Sequence, residues 1–185
     1  MLKIKYRIVE DLNVLGKVNK ASFDEDFNSI GGYFHFIAGE QRYGEFYHEN
    51  PLKEGEVGME LLDLWLEMFL DMLLELNEKK YIAFQVPDMA YLWLELQRQE
   101  NIVMINSYTD KNIQNEYTPI YRTKPVDGLV NNYSNAFQAD YIEFSELVIK
   151  VTENFINELR ELNIELMKTE LVDGLMQRLE NVKNN

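Results

Sequence analysis

The chain has 185 residues, no cysteine and only two histidines. Disulfides and thiolate metal sites are therefore excluded. Stability must come from buried surface, and a chain of this size buries roughly 70% of what it exposes when unfolded. The absence of cysteine fits a reducing compartment, so a cytoplasmic location is expected. Basic residues are also scarce, 18 against 32 acidic ones, for a formal net charge of -14. Such a field repels nucleic-acid backbones and anionic membrane surfaces and draws in a basic protein partner. No GxSxG, GxGxxG or GxxxxGK[ST] pattern occurs, which removes the usual settings for an activated serine or a phosphate cradle. The opening MLKIKYRIVE alternates apolar and polar residues, so no signal peptide is expected.

The richest segment is VGMELLDLWLEMFLDMLLELNEKK, Val57 to Lys80. Glu60, Asp63, Glu67, Asp71, Glu75 and Glu78 recur at steps of three or four and so share one helix face. Almost every other position is Leu, Met, Trp or Phe, which predicts a central helix buried on several sides with one row of carboxylates left in water. Six acids make insertion of this helix into a bilayer costly. As a metal site the row lacks a cage. It is either a solvated face or a contact surface for a basic partner, with Glu60, Asp63, Glu67, Asp71 and Glu75 as contact residues.

Around this helix the patterns are mostly extended. Leu2, Ile4, Tyr6 and Ile8 alternate with polar neighbours, which predicts a strand. Residues 10–30 read as a loop, with a strand around Val14 to Val18 as the alternative. YFHFIA (33–38) and QRYGEFYH (41–48) form a hairpin whose Gly39-Glu40 link suits a type II′ turn. Both faces of this hairpin carry rings, so it is interior to the sheet or covered on both sides. YIAFQV (81–86), AYLWLELQ (90–97) and IVMINSY (102–108) read as an antiparallel meander. Residues 109–139, rich in Asn and Tyr, form either a further strand at YTPIYRT (117–123) or a mobile recognition loop. Tyr117, Tyr121 and Tyr133 are its candidate contact residues, because Tyr and Asn suit binding surfaces. ADYIEF (139–144) reads as a short strand, with Ser145 capping an amphipathic helix that Asn163 breaks, followed by a last helix over 165–182.

Runs of strands and helices without βαβ alternation predict one α+β domain over 1–185. Its mostly antiparallel sheet and central helix span 1–108, the long loop 109–139 and the two C-terminal helices 140–185. Trp65 is expected in the core. Trp93 belongs either to a second core face under the C-terminal helices or to an exposed aromatic patch. His48 is expected as a strand-end histidine near solvent, with Glu45 on the opposite face of the strand. No catalytic, cofactor or metal residues are assigned.

GGYFHFIAGEQRYGEF, the acidic leucine-rich helix, YIAFQVPDMAYLWLELQRQENIVMINSY and FSELVIKVTENFINELRELNIEL follow one another in the order seen in small immunity-type proteins of bacterial polymorphic toxin systems. The chain resembles that class in its order of elements, without a shared signature set of residues. The resemblance implies stoichiometric inhibition of a basic toxin domain by direct binding, with no cofactor and no chemistry of its own. The alternative is an enzyme whose pocket is built from dispersed Tyr, Glu, His and Asn residues. A self-associating module, using the acidic helix or an exposed aromatic face, is a third possibility.

Overall fold

The structure is a computed structural model that describes residues 1–44, 47–53, 55–87, 89, 91–110, 121–125, 129–133 and 135–185. After β1 (Leu2–Ile8) come two short helices, α1 (Leu12–Leu15) and α2 (Lys20–Ser22), the latter widening into a π-type turn over Phe23–Phe27. The loop or strand expected over 10–30 is thus helical. Asp11 accepts the N–H groups of Asn13 and Val14, and Asn19 accepts that of Ser22. These caps stabilise turns too short to leave an apolar period in the sequence.

The hairpin forms from β2 (Gly31–Ala38) and β3 (Gln41–Tyr43). Gly39 sits at φ +67° between the paired Ala38 and Gln41, as the first central position of a II′ turn requires. The second strand ends five residues earlier than expected. β4 (Glu60–Leu61) leads directly into α3 (Leu62–Glu78). The long helix therefore starts later than Val57, because Glu60 and Leu61 pair with Gly32 and Gly31 instead.

The meander is β5 (Tyr81–Gln85), β6 (Leu92–Gln99) and β7 (Ile102–Asp110). The asparagine-rich stretch contributes β8 (Tyr121–Arg122), β9 (Leu129–Asn131) and β10 (Phe137–Asp140). Two helices close the chain, α4 (Tyr141–Leu162) and α5 (Glu170–Lys183), joined by a 3-10 turn over Ile164–Lys168. Asp140, not Ser145, caps α4, accepting from the amides of Ile142 and Glu143 at 2.8 and 3.0 Å. Ser145 lies a turn inside, its hydroxyl donating to the Tyr141 carbonyl. Asn163 ends α4 as expected.

Among the described residues all strand pairings are antiparallel, in two sheets rather than one. β2 is central in the first, flanked by β1 on one side and by β3 and β4 on the other; the second runs β10-β7-β6-β5-β8, with β9 also on β7. The fold is α+β. α3 is the beam between them: Trp65 stacks on Phe34 of the first sheet at 4.5 Å and meets Phe84 of the second edge-on at 6.5 Å. Phe69 adds edge contacts to Phe36 and to Phe144 of α4. Trp65 and these five phenylalanines are all buried. Truncating Trp65 would cost about 3–5 kcal/mol by loss of packing.

Candidate functional site

Three groupings of polar side chains come forward, and the first overturns an expectation. The carboxylate row of α3 is not left in water. Glu60 is buried and accepts the Trp65 indole N–H at 2.7 Å. Asp63 is buried too and accepts the Ile30 amide at 2.8 Å. α5 lies across the next turns, where Arg178 reaches Asp71 at 3.2 Å and Glu67 at 3.4 Å. Gly174 leaves the room for this: a Cβ there would stand 3.2 Å from the Arg178 guanidinium and 3.6 Å from Glu67. Glu75 pairs with Lys79 at 2.7 Å, and only Glu78 at the helix end is exposed. Burial pushes the carboxyls of Asp63, Glu67 and Asp71 up, Asp63 to about 6, and Arg178 counters part of this at Glu67 and Asp71. Glu67 and Asp71 thus form a half-buried seam between α3 and α5, because α5 is itself amphipathic and brings its own cation.

The second grouping lies on the outer face of the first sheet. Residues 47–53 and 55–58 cross this face as a strap, which explains why the hairpin carries rings on both sides. Lys5 holds Glu49 at 2.7 Å, and Arg7 donates to the carbonyls of His48 and Asn50. Tyr33 and His48 both donate to Glu56 Oε1, at 2.5 and 2.6 Å, and the Lys53 amide donates to Oε2 at 2.7 Å. The Tyr33 hydroxyl, the Lys53 amide and His48 hold the Glu56 carboxyl down at about 2. An ionised carboxylate can only accept, so His48 presents Nε2–H to it, and among the described residues its buried Nδ1 has no partner. The strap leaves the sheet where Gly58 crosses Gly32, so closely that a Cβ on Gly58 would stand 2.3 Å from the Gly32 backbone. His48 thus pairs with Glu56, eight residues on. Glu49 is engaged by Lys5, and Glu45 lies outside the described residues. Sequence reasoning missed Glu56 because the partner depends on the path of the strap.

The third grouping is on the reverse face of the second sheet. The pairings Gln85↔Trp93↔Tyr108 and Ala83↔Glu95↔Asn106 align these residues across three strands. Ile82, Phe84, Leu94, Leu96, Val103 and Ile105 point the other way, into the main core beneath the helices. Tyr81, Ala83, Trp93 and Tyr108 form a separate apolar cluster. Tyr81 donates to Glu95 at 2.8 Å, and the Arg122 guanidinium lies 5.8 Å over the Trp93 ring. Burial and the adjacent Glu95 carboxylate raise the Tyr108 phenol. Trp93 is only 3% exposed, yet among the described residues its Nε1 has no hydrogen-bond partner, and neither has the buried Asn106 Oδ1. Trp93 is therefore buried, but not under the C-terminal helices. The alternation of Trp93 and Glu95 with Asn106 and Tyr108 was the available signal for this face, and it needed the strand register to be read.

Of the tyrosines named from sequence, Tyr121 is 58% exposed on β8, pairing with Phe84 across the sheet edge. Tyr133 is half-buried and lines a cleft of about 250 Å³ with Gly39, Gln41 and Phe137. Tyr117 lies outside the described residues. The structure does not bring these tyrosines together with the α3 acids. Among the described residues no group of three or more His, Asp or Glu side chains is arranged to hold a metal ion, and no helix is long and apolar enough to cross a membrane. Comparison with protein-family models, curated proteins and solved structures found no match to this chain.

Proposed function

We propose that this chain is a non-enzymatic binding protein that captures a basic protein partner, in the manner of the immunity-type class it resembles. In this reading the reverse face of the six-stranded sheet is the contact surface. The observation that carries it is the ring-and-cation set on this face, half-buried Tyr108 and exposed Arg122 packed about Trp93. Trp93, buried beneath them, sets their positions, so its truncation should disturb the surface a partner meets. Trp, Tyr and Arg are also the side chains that dominate binding energy at interface centres. The net charge of -14 supplies long-range attraction to a basic partner without fixing the contact geometry.

The test is association with the product of the adjacent open reading frame, comparing wild type with Trp93→Ala. Loss of affinity on that substitution, with the fold retained, supports this surface. The alternative, an enzyme, draws its support from the Tyr33–Glu56–His48 cluster. Turnover of a small compound that His48→Ala abolishes would favour it.

A further inference from the structure

A cleft of about 310 Å³ opens between the last turns of α3, the end of β6, the first turns of α4 and the end of α5. That volume sits at the lower end of the range that holds small ligands. Leu73, Leu74, Ile142, Ile149 and Val182 make its walls apolar. At one side stands Arg98. Its guanidinium lies 3.6 Å over the Tyr141 ring, Nε donates to the Glu100 carbonyl at 2.9 Å, and Nη1 donates to Asn77 Oδ1 at 3.0 Å. Tyr141 is fixed in turn by donating to the Leu73 carbonyl at 3.3 Å.

Both acceptors on Arg98 are neutral. Among the described residues no carboxylate forms an ion pair with it, and its Nη2 has no hydrogen-bond partner. This is a chain with 32 acidic residues, and Arg178 on α5 has recruited two of them. A cation held in one orientation by a ring and two carbonyl-type acceptors, beside an apolar wall, is pre-organised for an external anion.

We propose that this cleft binds a small molecule with an aliphatic chain ending in a carboxylate. The chain packs on the walls from α3, α4 and α5, and the head group pairs with Nη2 of Arg98. The aliphatic lining favours a hydrocarbon tail over a sugar or a base. Glu146, exposed in the lining, opposes a second negative charge and so favours a monoanion over a phosphomonoester. The site is separate from the sheet face assigned above and does not depend on it.

The experiment is an amide NMR titration of the full chain with octanoate, using octan-1-ol as the neutral control. Octanoate should shift the amides of Asn101 and the first turns of α4 saturably, and bind about tenfold or more tighter than octanol, the worth of a charge-assisted hydrogen bond. Arg98→Gln should bring octanoate to the level of octanol while leaving octanol unchanged. Ile149→Trp should fill the cleft and abolish both. Should that variant fail to fold, Glu146→Gln serves instead, tightening octanoate and leaving octanol unmoved. Equal affinity for the two probes, lack of saturation, shifts elsewhere, or octanoate binding indifferent to Arg98→Gln would overturn the assignment.

Discussion

Replacing Asp63 by asparagine should stabilise the protein at neutral pH. Asp63 sits in the first turn of α3, is 9% exposed, and spends Oδ1 on the Ile30 amide at 2.8 Å. Desolvation outweighs that hydrogen bond, Glu67 one turn on adds repulsion, and the carboxyl rises from 3.8 to about 6. A group whose folded value is raised gives its full stabilisation below the unfolded value and loses it as pH climbs through the folded one. The loss falls between about pH 4 and 6 and amounts to about 3 kcal/mol, at 1.36 kcal/mol per pH unit. Asparagine keeps the acceptor for Ile30 and removes the charge, but its amide hydrogens need partners, at about 1 kcal/mol or more. A net gain of about 1–2 kcal/mol is expected at pH 7, or roughly 2–8 °C in Tm for a chain of this size. The assay is urea unfolding of both proteins from pH 4 to 8. The advantage of the variant should grow across pH 4–6 and level off above it. A variant less stable than wild type at pH 7, or a difference that does not change with pH, would refute the argument and return Asp63 to solvent.

Arg178→Met leaves Glu67 and Asp71 under α5 without their counter-charge. With these groups about a third exposed, the cost should be about 1 kcal/mol after solvent screening, larger at pH 7 than at pH 4, and visible as faster amide exchange in α5. Gly58→Ala drives a methyl into the Gly32 backbone, so it should cost at least about 2 kcal/mol and raise exchange along residues 47–53 and 55–58. Glu56 is held below its unfolded 4.5, so its contribution is present above that pH and is lost as pH falls toward 2. Amide exchange in the strap, corrected for intrinsic rates, should rise over that window in wild type, and Glu56→Gln should remove the pH dependence.

The sequence announced the elements better than it announced what covers them. The 3.6-residue period placed six acids on one helix face; five of them, Asp63 to Glu78, are carried by α3, and Glu60 belongs to β4. Periodicity reports which side chains group together, however, and not whether a second helix bearing Arg178 will lie over them. The Gly39-Glu40 link and the meander strands were legible because turn chemistry and period-two alternation are local. Asp11, Asn19 and Asp140 show the limit of that locality: each caps a helix by its own side chain, yet only Asp140 precedes a long apolar pattern. The contacts of candidate functional interest are all long-range. Tyr33 with Glu56, Trp93 with Arg122, and Arg98 with Tyr141 depend on strand register and on the paths of connecting segments, which residue patterns along one stretch do not encode.

The central claim is capture of a basic partner, and association kinetics test it most directly. Surface plasmon resonance against the product of the adjacent open reading frame, at about 50 and 500 mM salt, separates steering from seating. The account predicts an on-rate that falls steeply with salt, because charges beyond about a Debye length are screened, and an off-rate that rises at least about tenfold for Trp93→Ala. No complex at low salt, or a complex whose on-rate ignores salt and whose off-rate ignores Trp93, would contradict it.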